Sequence, residues 1–560
     1  VLPMSTMPAW HGAVGSVAHQ RALKAVDYDF QRWQDRLRCF VGVPLVLILH
    51  ALPYIPAILA LQQFWYIVDM FCDEHAISVF FLLSPWVFGN TLWISFVVMV
   101  ISVKRLFIGR LEAGPRGHSH CGELKHWLHG RLVETHEFES ACEMFINTEV
   151  LSWIYRLLGA RVGRRVQIDR FSLVEHDCLT IEDYAVFGSA INMSCDARAP
   201  WTPHATVRGC PADLGFEPVR ICQGANALDH CVIMPGANVG ERAVLGSCTL
   251  AHHNSYFAPL TIHTGSVRGR ASYLRDYSSS KAVKALEDKA LQDLDRPAVW
   301  WSFNLFLCLA VLIAKPVHEV VWVLVYVIMF TVYDFSNGWL SFIAGLALLH
   351  IALVFCEVLV LIAAKWLIIG RYRAGDFRFF SAYHYRWMVM MLFDHAANIR
   401  GFLYGTAFNA WFYRAMGAKV GRNCFLSGLA VEYDLLEIGD GVAIGMFCDT
   451  TCHTVENMVI KLAPVRIHSG ACLCPFSFAM PGSVVEENAV LLEHTQVLKG
   501  ETVPEGEVWA GIPAARCQPT APLPASHGEP QHGAASAVLH DIPLVAMNAI
   551  AGAAYRPFPA

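Results

Sequence analysis

From Ile467 onward, apolar residues recur every six positions: Ile467, Leu473, Ala479, Val485, Leu491 and Val497. Four positions after each of the first five stands a small residue: Ala471, Ser477, Ser483, Ala489 and Thr495. A sheet face repeats every two residues and a helix face every 3.6, so neither explains a period of six. A left-handed parallel β-helix does. Each flat face of its prism takes one hexapeptide, three faces close a coil, and coils are stable only when stacked. The same register appears earlier, at Ile221, Ala227, Ile233, Val239, Leu245 and Ala251. Its small companions are Ala225, Cys231, Ala237, Ala243, Thr249 and Ser255.

The second occurrence is part of a larger duplication. The octets "LGARVGRR" (158–165) and "MGAKVGRN" (416–423) stand 258 positions apart. The septets "KRLFIGR" (104–110) and "KWLIIGR" (365–371) stand 261 apart. Each septet closes a long apolar block, from about Phe40 to Val103 and from about Val299 to Ile369. A bilayer crossing needs about 20 apolar residues. Each block therefore fits two crossings, broken at 69–75 and at 333–338. Only 16% of residues are charged, against about 25% in soluble domains. Basic residues flank both blocks: Arg32, Arg36, Arg38, Lys104, Arg105 and Arg110 for the first, Lys281 to Arg296 and Lys365 to Arg378 for the second. Positive flanks stay cytoplasmic, so an even number of crossings and cytoplasmic β-helices are expected.

The expected fold is membrane α plus β, in two tandem modules, each two transmembrane helices followed by a left-handed β-helix. The boundaries expected are an N-terminal lead at 1–39, the first membrane pair at 40–103, a connecting segment at 104–157 and a degenerate first β-helix at 158–270. An amphipathic linker at 271–298 leads to the second membrane pair at 299–369. A connecting segment at 370–415, the second β-helix at 416–517 and a disordered tail at 518–560 complete the chain. The tail is rich in Pro, Ala, Gly and His. The first residue, Val1, suggests a piece of a longer protein.

A net charge of −5 leaves no nucleic-acid footprint. The 18 cysteines form no CxxC pair, and they read as reduced thiols. The sixfold register breaks between Phe187 and Ile221 and between Ile444 and Ile467, where loops leave the coils. Binding residues concentrate in loops on a rigid scaffold. The second loop opens with "CDTTCHTVE" (448–456). His453 there suits a general base, with Glu456 or Asp449 to orient its ring. The bland alternative is a histidine that caps the loop by hydrogen bonds. In the first copy the matching position is Asp196 or Pro200, depending on the alignment, and neither is a histidine. His453, His468 and His494 are separated by 15 and 26 residues, not multiples of an 18-residue coil, so no metal site is expected.

The second copy ends in "WAGIPAARC" (509–517). Gly511, Pro513 and Ala514 resemble the Gly-x-Pro-Ala turn that closes hexapeptide-repeat acyltransferases, beside the pantetheine arm of coenzyme A. The ordered set "KWLIIGRYRAGDF", "MGAKVGRN", "EIGDGVAIG", "HTVEN", "APVRI" and "WAGIPA" is similar to the membrane-bound C-terminal region of poly-lysine-synthetase-like nonribosomal peptide synthetases. That resemblance covers roughly residues 40 to 517. It implies upstream adenylation and carrier domains, and amide-bond formation between an aminoacyl thioester and an amine or amino-acid acceptor. It implies no tightly bound cofactor, the donor riding on the phosphopantetheine arm of a carrier or on coenzyme A. The family pattern has three soluble domains and six helices where this chain shows two and four, so iterative polymerisation does not carry over. An acyl-CoA-dependent membrane acetyltransferase and a non-catalytic membrane scaffold remain as alternative readings.

Overall fold

The computed structural model describes residues 28–72, 76–115, 120–169, 171–197, 215–267, 269–312, 338–396 and 400–517. The sixfold register folds as two stacks of parallel coils. In the first stack three parallel sheets run side by side, and each coil advances the register by 18 residues: Ala227 pairs with Leu245, Ile233 with Ala251 and Val239 with Phe257. The second stack has the same layout, with Ile467 on Val485, Leu473 on Leu491 and Ala479 on Val497. Every aliphatic residue of both registers is 0–1% exposed, and every small companion 0–4%. Each coil thus seals itself from within, as a closed prism requires.

The backbone carries a signal of its own. One residue per hexapeptide sits at positive φ: Gly470, Phe476, Gly482, Asn488, His494, Gly500 and Gly506 in the second stack. The first has Gly224, His230, Gly236, Arg242, Cys248, Asn254 and Leu260. These are the prism corners. Leu260 and Phe476 adopt a conformation that bulky residues normally avoid, so the corners are imposed by the stacked ladders rather than chosen locally.

The octets start the stacks. Helices Glu149–Leu158 and Ala407–Met416 end on Gly159 (φ +118) and Gly417 (φ +111), the left-handed cap that glycine supplies. No other residue fits there. A β-carbon on Gly159 would meet Asp177 Oδ1 at 2.2 Å, and one on Gly417 would meet Asp434 Oδ1 at 2.3 Å. The next valine of each octet, Val162 or Val420, lies in the first coil strand. Arg156 and Arg414, in the helices before the glycines, donate to the carbonyls of Val162 and Gly163, and of Val420 and Gly421.

The septets fasten the apolar helices to the stacks. Among the described residues, three helices are long and apolar enough to cross a membrane: Trp33–Cys72, Leu83–Ile108 and Trp339–Ile368. The first residues of the second apolar block form the shorter apolar helix Pro297–Leu312. The rest of the third expected crossing, beyond Leu312, and the break at 333–338 up to residue 337 lie outside the described residues, as does the tail from residue 518. Lys365 pairs with Asp434 at 2.7 Å, the two side chains 0% and 10% exposed. Lys104 pairs with Asp177 in the same way, and these side chains too are buried. Each aspartate also accepts a backbone N–H, from Leu111 or from Tyr372. Two of the charges expected to flank a bilayer are therefore spent inside the protein.

The two stacks pack against each other, with the linker helix Lys281–Asp295 among the elements between them. Asn226 donates to the Asn457 side chain (2.8 Å), and Asn457 N donates back to Asn226 Oδ1 (3.2 Å), all buried. Arg378 reaches Asp293 of the linker, and the Tyr184 hydroxyl donates to Asp295 (2.5 Å). Val186 of the first stack joins the same apolar core as Ala290, Leu294 and the interior of the second.

Candidate active site

His453 opens the strand His453–Glu456, which turns back antiparallel on Val459–Leu462 where the chain leaves the second prism. Its Nδ1 lies 2.9 Å from Glu432 Oε1, with side-chain exposures of 14% and 0%. Glu432 stands on the preceding turn of the stack, just before the short helix Tyr433–Leu435. Its Oε1 also accepts from Trp387 Nε1 (3.0 Å), and its Oε2 accepts from Cys452 N (3.1 Å). Trp387 comes from the connecting helix Ala382–Ala396 and packs edge-on against the imidazole at 5.1 Å. Three segments far apart in sequence therefore converge on one buried carboxylate.

The electrostatics follow from that geometry. Burial alone would raise Glu432, but the His453 charge and three donors outweigh it and hold the carboxyl below its ordinary range. Burial would likewise lower His453; the adjacent Glu432 carboxylate wins and pushes it up to about 9. The pair is an imidazolium–carboxylate ion pair near neutral pH, with Nδ1 the ring nitrogen nearest Glu432. Among the described residues Nε2 has no hydrogen-bond partner, which leaves it for proton transfer.

The partner of the ring is thus Glu432, not Glu456. Glu456 lies at the far end of the same strand and is held by Lys461 (2.8 Å) and by Lys499. These lysines keep it ionised, at about 2 despite its burial. Lys499 also donates to Thr454 Oγ1 (2.5 Å). Asp449 is partly buried, bridged to Leu429 and Phe478, and its Oδ1 accepts from Thr451 N (2.9 Å). It does not bond the imidazole. Burial pushes it up to about 6, against the pull of His230 and with the push of Asp229, both from the first stack. Asp229 also acts on His453, so the candidate base faces residues of the other prism.

The Gly511–Ala514 turn is likewise an inter-stack feature. Gly511 (φ +95) has its carbonyl bonded by Gln496 N (3.0 Å), and Ala514 N donates to Gln496 O (2.8 Å). Ser266 N of the first stack donates to Ile512 O (2.8 Å). Gly265 is required there, because a β-carbon would meet Ile512 O at 2.3 Å. The stretch "FAPLTIHTGSVRGR", which lacks the motif itself, supplies the strand that seats the motif of the second copy.

The equivalent place in the first stack settles the alignment left open above. Glu175 Oε2 accepts from Cys195 N (3.1 Å), as Glu432 Oε2 does from Cys452 N. Asp196 therefore occupies the position of His453. In place of Trp387 stands His126, whose Nε2 is 2.8 Å from Glu175 Oε1.

No family model matches the chain. Over 496 residues it is 21% identical to the Delta-poly-L-ornithine synthetase of Acinetobacter baumannii (strain AB307-0294). The chain resembles a peptide synthetase. The match takes in 85% of this chain and 35% of that relative, so this chain spans about a third of the relative's length. The resemblance to poly-lysine-synthetase-like proteins drawn from the motifs stands on this match. Among solved structures, a hexapeptide-repeat-containing acetyltransferase of Vibrio cholerae O1 biovar eltor, complexed with acetyl coenzyme A, is 13% identical. It covers 30% of this chain and 88% of its own, at a TM-score of 0.18. A galactoside acetyltransferase in complex with coenzyme A is 12% identical, covering 30% and 81%, also at 0.18.

Proposed function

We propose that the chain is the membrane-anchored acyl-transfer region of a peptide-synthetase-like protein, built as two tandem modules. Each module is a pair of membrane helices followed by a left-handed parallel β-helix on the cytoplasmic side. The donor is an aminoacyl thioester on the phosphopantetheine arm of a carrier domain, and the acceptor is an amine. Adenylation and carrier domains of a longer chain would load that arm. The observation that carries this reading is the Trp387–Glu432–His453 constellation: a buried carboxylate with three donors, fixing an imidazole whose other nitrogen is free among the described residues.

The chemistry is an acyl transfer. The amine nitrogen attacks the thioester carbonyl while His453 Nε2 takes the proton it sheds. The C–S bond then breaks, and the departing thiolate recovers that proton from His453. One amide forms, one thioester is consumed and one thiol is released. Glu432 holds Nδ1–H and balances the imidazolium that appears midway. Trp387 and the Cys452 N–H keep the carboxylate in place. Asp449, with Asp229 across the inter-stack boundary, supplies negative potential for a cationic amine. Glu456 sets the outer edge through its two lysines. Gly511, Pro513 and Ala514 form a turn suited to either arm, because coenzyme A and a carrier present the same pantetheine.

The test uses the detergent-solubilised full chain with a carrier loaded with radiolabelled amino acids and a free amine. Amide formation that falls at least about 100-fold in His453→Ala supports the proposal. Equal slow release of label by both proteins removes His453 from the mechanism. Transfer from acetyl coenzyme A where the carrier fails replaces the carrier donor with a free acyl-CoA. No transfer from either donor leaves a scaffold.

A further inference from the structure

In the first stack, His126, Glu175 and Asp196 converge at the position that Trp387, Glu432 and His453 occupy in the second. One donor atom from each lies within 4.8 Å of the others. The two carboxylate residues are 4% and 8% exposed. His126 comes from helix His120–Val133, Glu175 from the turn before His176–Cys178, and Asp196 from the coil exit after Ile191–Met193. Each arm is braced: Glu175 accepts the Cys195 N–H, Asp196 pairs through its backbone with Phe216, and the His126 ring packs 5.3 Å from the Phe216 ring.

Two carboxylates buried together are costly unless their charge is met. A divalent ion brings two positive charges to this pair of carboxylates, and the imidazole beside them offers a neutral nitrogen ligand. The donor set is one nitrogen and two oxygens without sulfur, which suits zinc and other first-row ions. Tetrahedral zinc at about 2.0–2.2 Å from its ligands needs donor atoms roughly 3.3–3.6 Å apart. Three protein donors leave a position for water. Among the described residues the second stack has no such set, because the Trp387 indole that replaces His126 is a donor only and has no lone pair for a metal.

We propose that His126, Glu175 and Asp196 form a binding site for one divalent first-row metal ion. The ion ties the connecting helix to the coil entrance and the coil exit, so it is a structural clamp of the first module. The inference is independent of the acyl-transfer reading.

The test titrates zinc into the chelator-stripped full chain in detergent. A weak competing chelator suppresses adventitious binding by the 25 histidines and 18 cysteines. One site is expected, with affinity at least about 10-fold lower in both His126→Ala and Asp196→Asn and unchanged in His453→Ala. Zinc should also raise the Tm of the wild type but not of Asp196→Asn. Should a variant fail to fold, the visible spectrum of the cobalt-loaded wild type decides: ligand-field bands with one equivalent support the site. No binding by the wild type, no cobalt bands, or equal binding by wild type and both variants overturns the proposal. Loss in His453→Ala alone also overturns it, by placing the ion in the second stack.

Discussion

The two stacks use the same frame and put different chemistry in it. In both, a glutamate just before a short helical turn accepts the N–H of a cysteine at the coil exit, Glu175 with Cys195 and Glu432 with Cys452. In both, a buried lysine at the end of an apolar helix pairs with the aspartate two residues after that glutamate. The contents differ at two positions. The first stack has His126 and Asp196 around its glutamate, and the second has Trp387 and His453. The comparison teaches that the carboxylate is common to both stacks, and that its two neighbours give each site its own chemistry: an indole and an imidazole in the second, an imidazole and a carboxylate in the first. The Gly-x-Pro-Ala turn divides the labour similarly: the second stack carries it, while Gly265 and Ser266 of the first hold it.

The largest expected effect separates the stacks by activity. His453→Ala should lower amide formation by about 10² to 10⁴, the range for a general base, whereas Asp196→Ala should leave the intrinsic rate of the folded protein within about tenfold. Equal losses from both would break the comparison, and the readout is kcat on a loaded carrier. The lysine–aspartate pairs should instead behave alike. Removing one member of a buried pair typically costs about 3–5 kcal/mol, so Asp434→Asn and Asp177→Asn should each lower the thermal midpoint by several degrees. A large loss from only one would show that a single module anchors its helices this way.

Smaller effects refine the second site. Trp387→Phe removes one hydrogen bond to a buried carboxylate, worth about 1–3 kcal/mol. It should lower kcat by roughly tenfold while KM changes little; a KM effect alone would make Trp387 a substrate contact. Glu456→Gln should do least to chemistry, less than about threefold in kcat for a neutral acceptor, because Glu456 pairs with Lys461 and Lys499 and not with the ring. A loss as large as that of His453→Ala would restore Glu456 as its partner.

Much of the scaffold is legible in the sequence, because a stacked coil repeats a short-range rule. Each hexapeptide must bury one aliphatic residue and one small one, and that requirement shows at Ile467, Leu473 and onward without knowledge of any contact. The recurrence of the same register in both stacks is legible for the same reason. Glu432 escaped because the expected partner of His453 was sought within a few residues, at Asp449 and Glu456. A coil instead places side by side residues about one turn apart, and Glu432 lies 21 positions earlier. A signal was available: "VEHD" (174–177) and "VEYD" (431–434) repeat in both copies, and the repeat contains both the glutamate and the lysine's aspartate. Trp387 and the inter-stack boundary had no such signal. They depend on how a helix and a second prism dock, and no local periodicity encodes that.

The central claim is that Glu432 holds His453 as the base, and the pH dependence of the reaction tests it most directly. In the wild type, neutral His453 is scarce below its raised value of about 9, so kcat/KM should rise with pH to a midpoint near 9. The same linkage acts on stability. The contribution of His453 is complete below about 6.5 and is lost as pH rises through about 9. That of Glu432, which is lowered, is present above the ordinary carboxylate range and lost as pH falls through its depressed value. In Glu432→Gln the carboxylate is gone, and burial acts on the imidazole against only the smaller upward pull of Asp229 and Asp449. The measurement is the pH profile of kcat/KM for wild type and Glu432→Gln side by side. A midpoint that moves down by more than one pH unit in the variant is the predicted result. Profiles that coincide, or a wild-type rate that does not rise with pH, would contradict it.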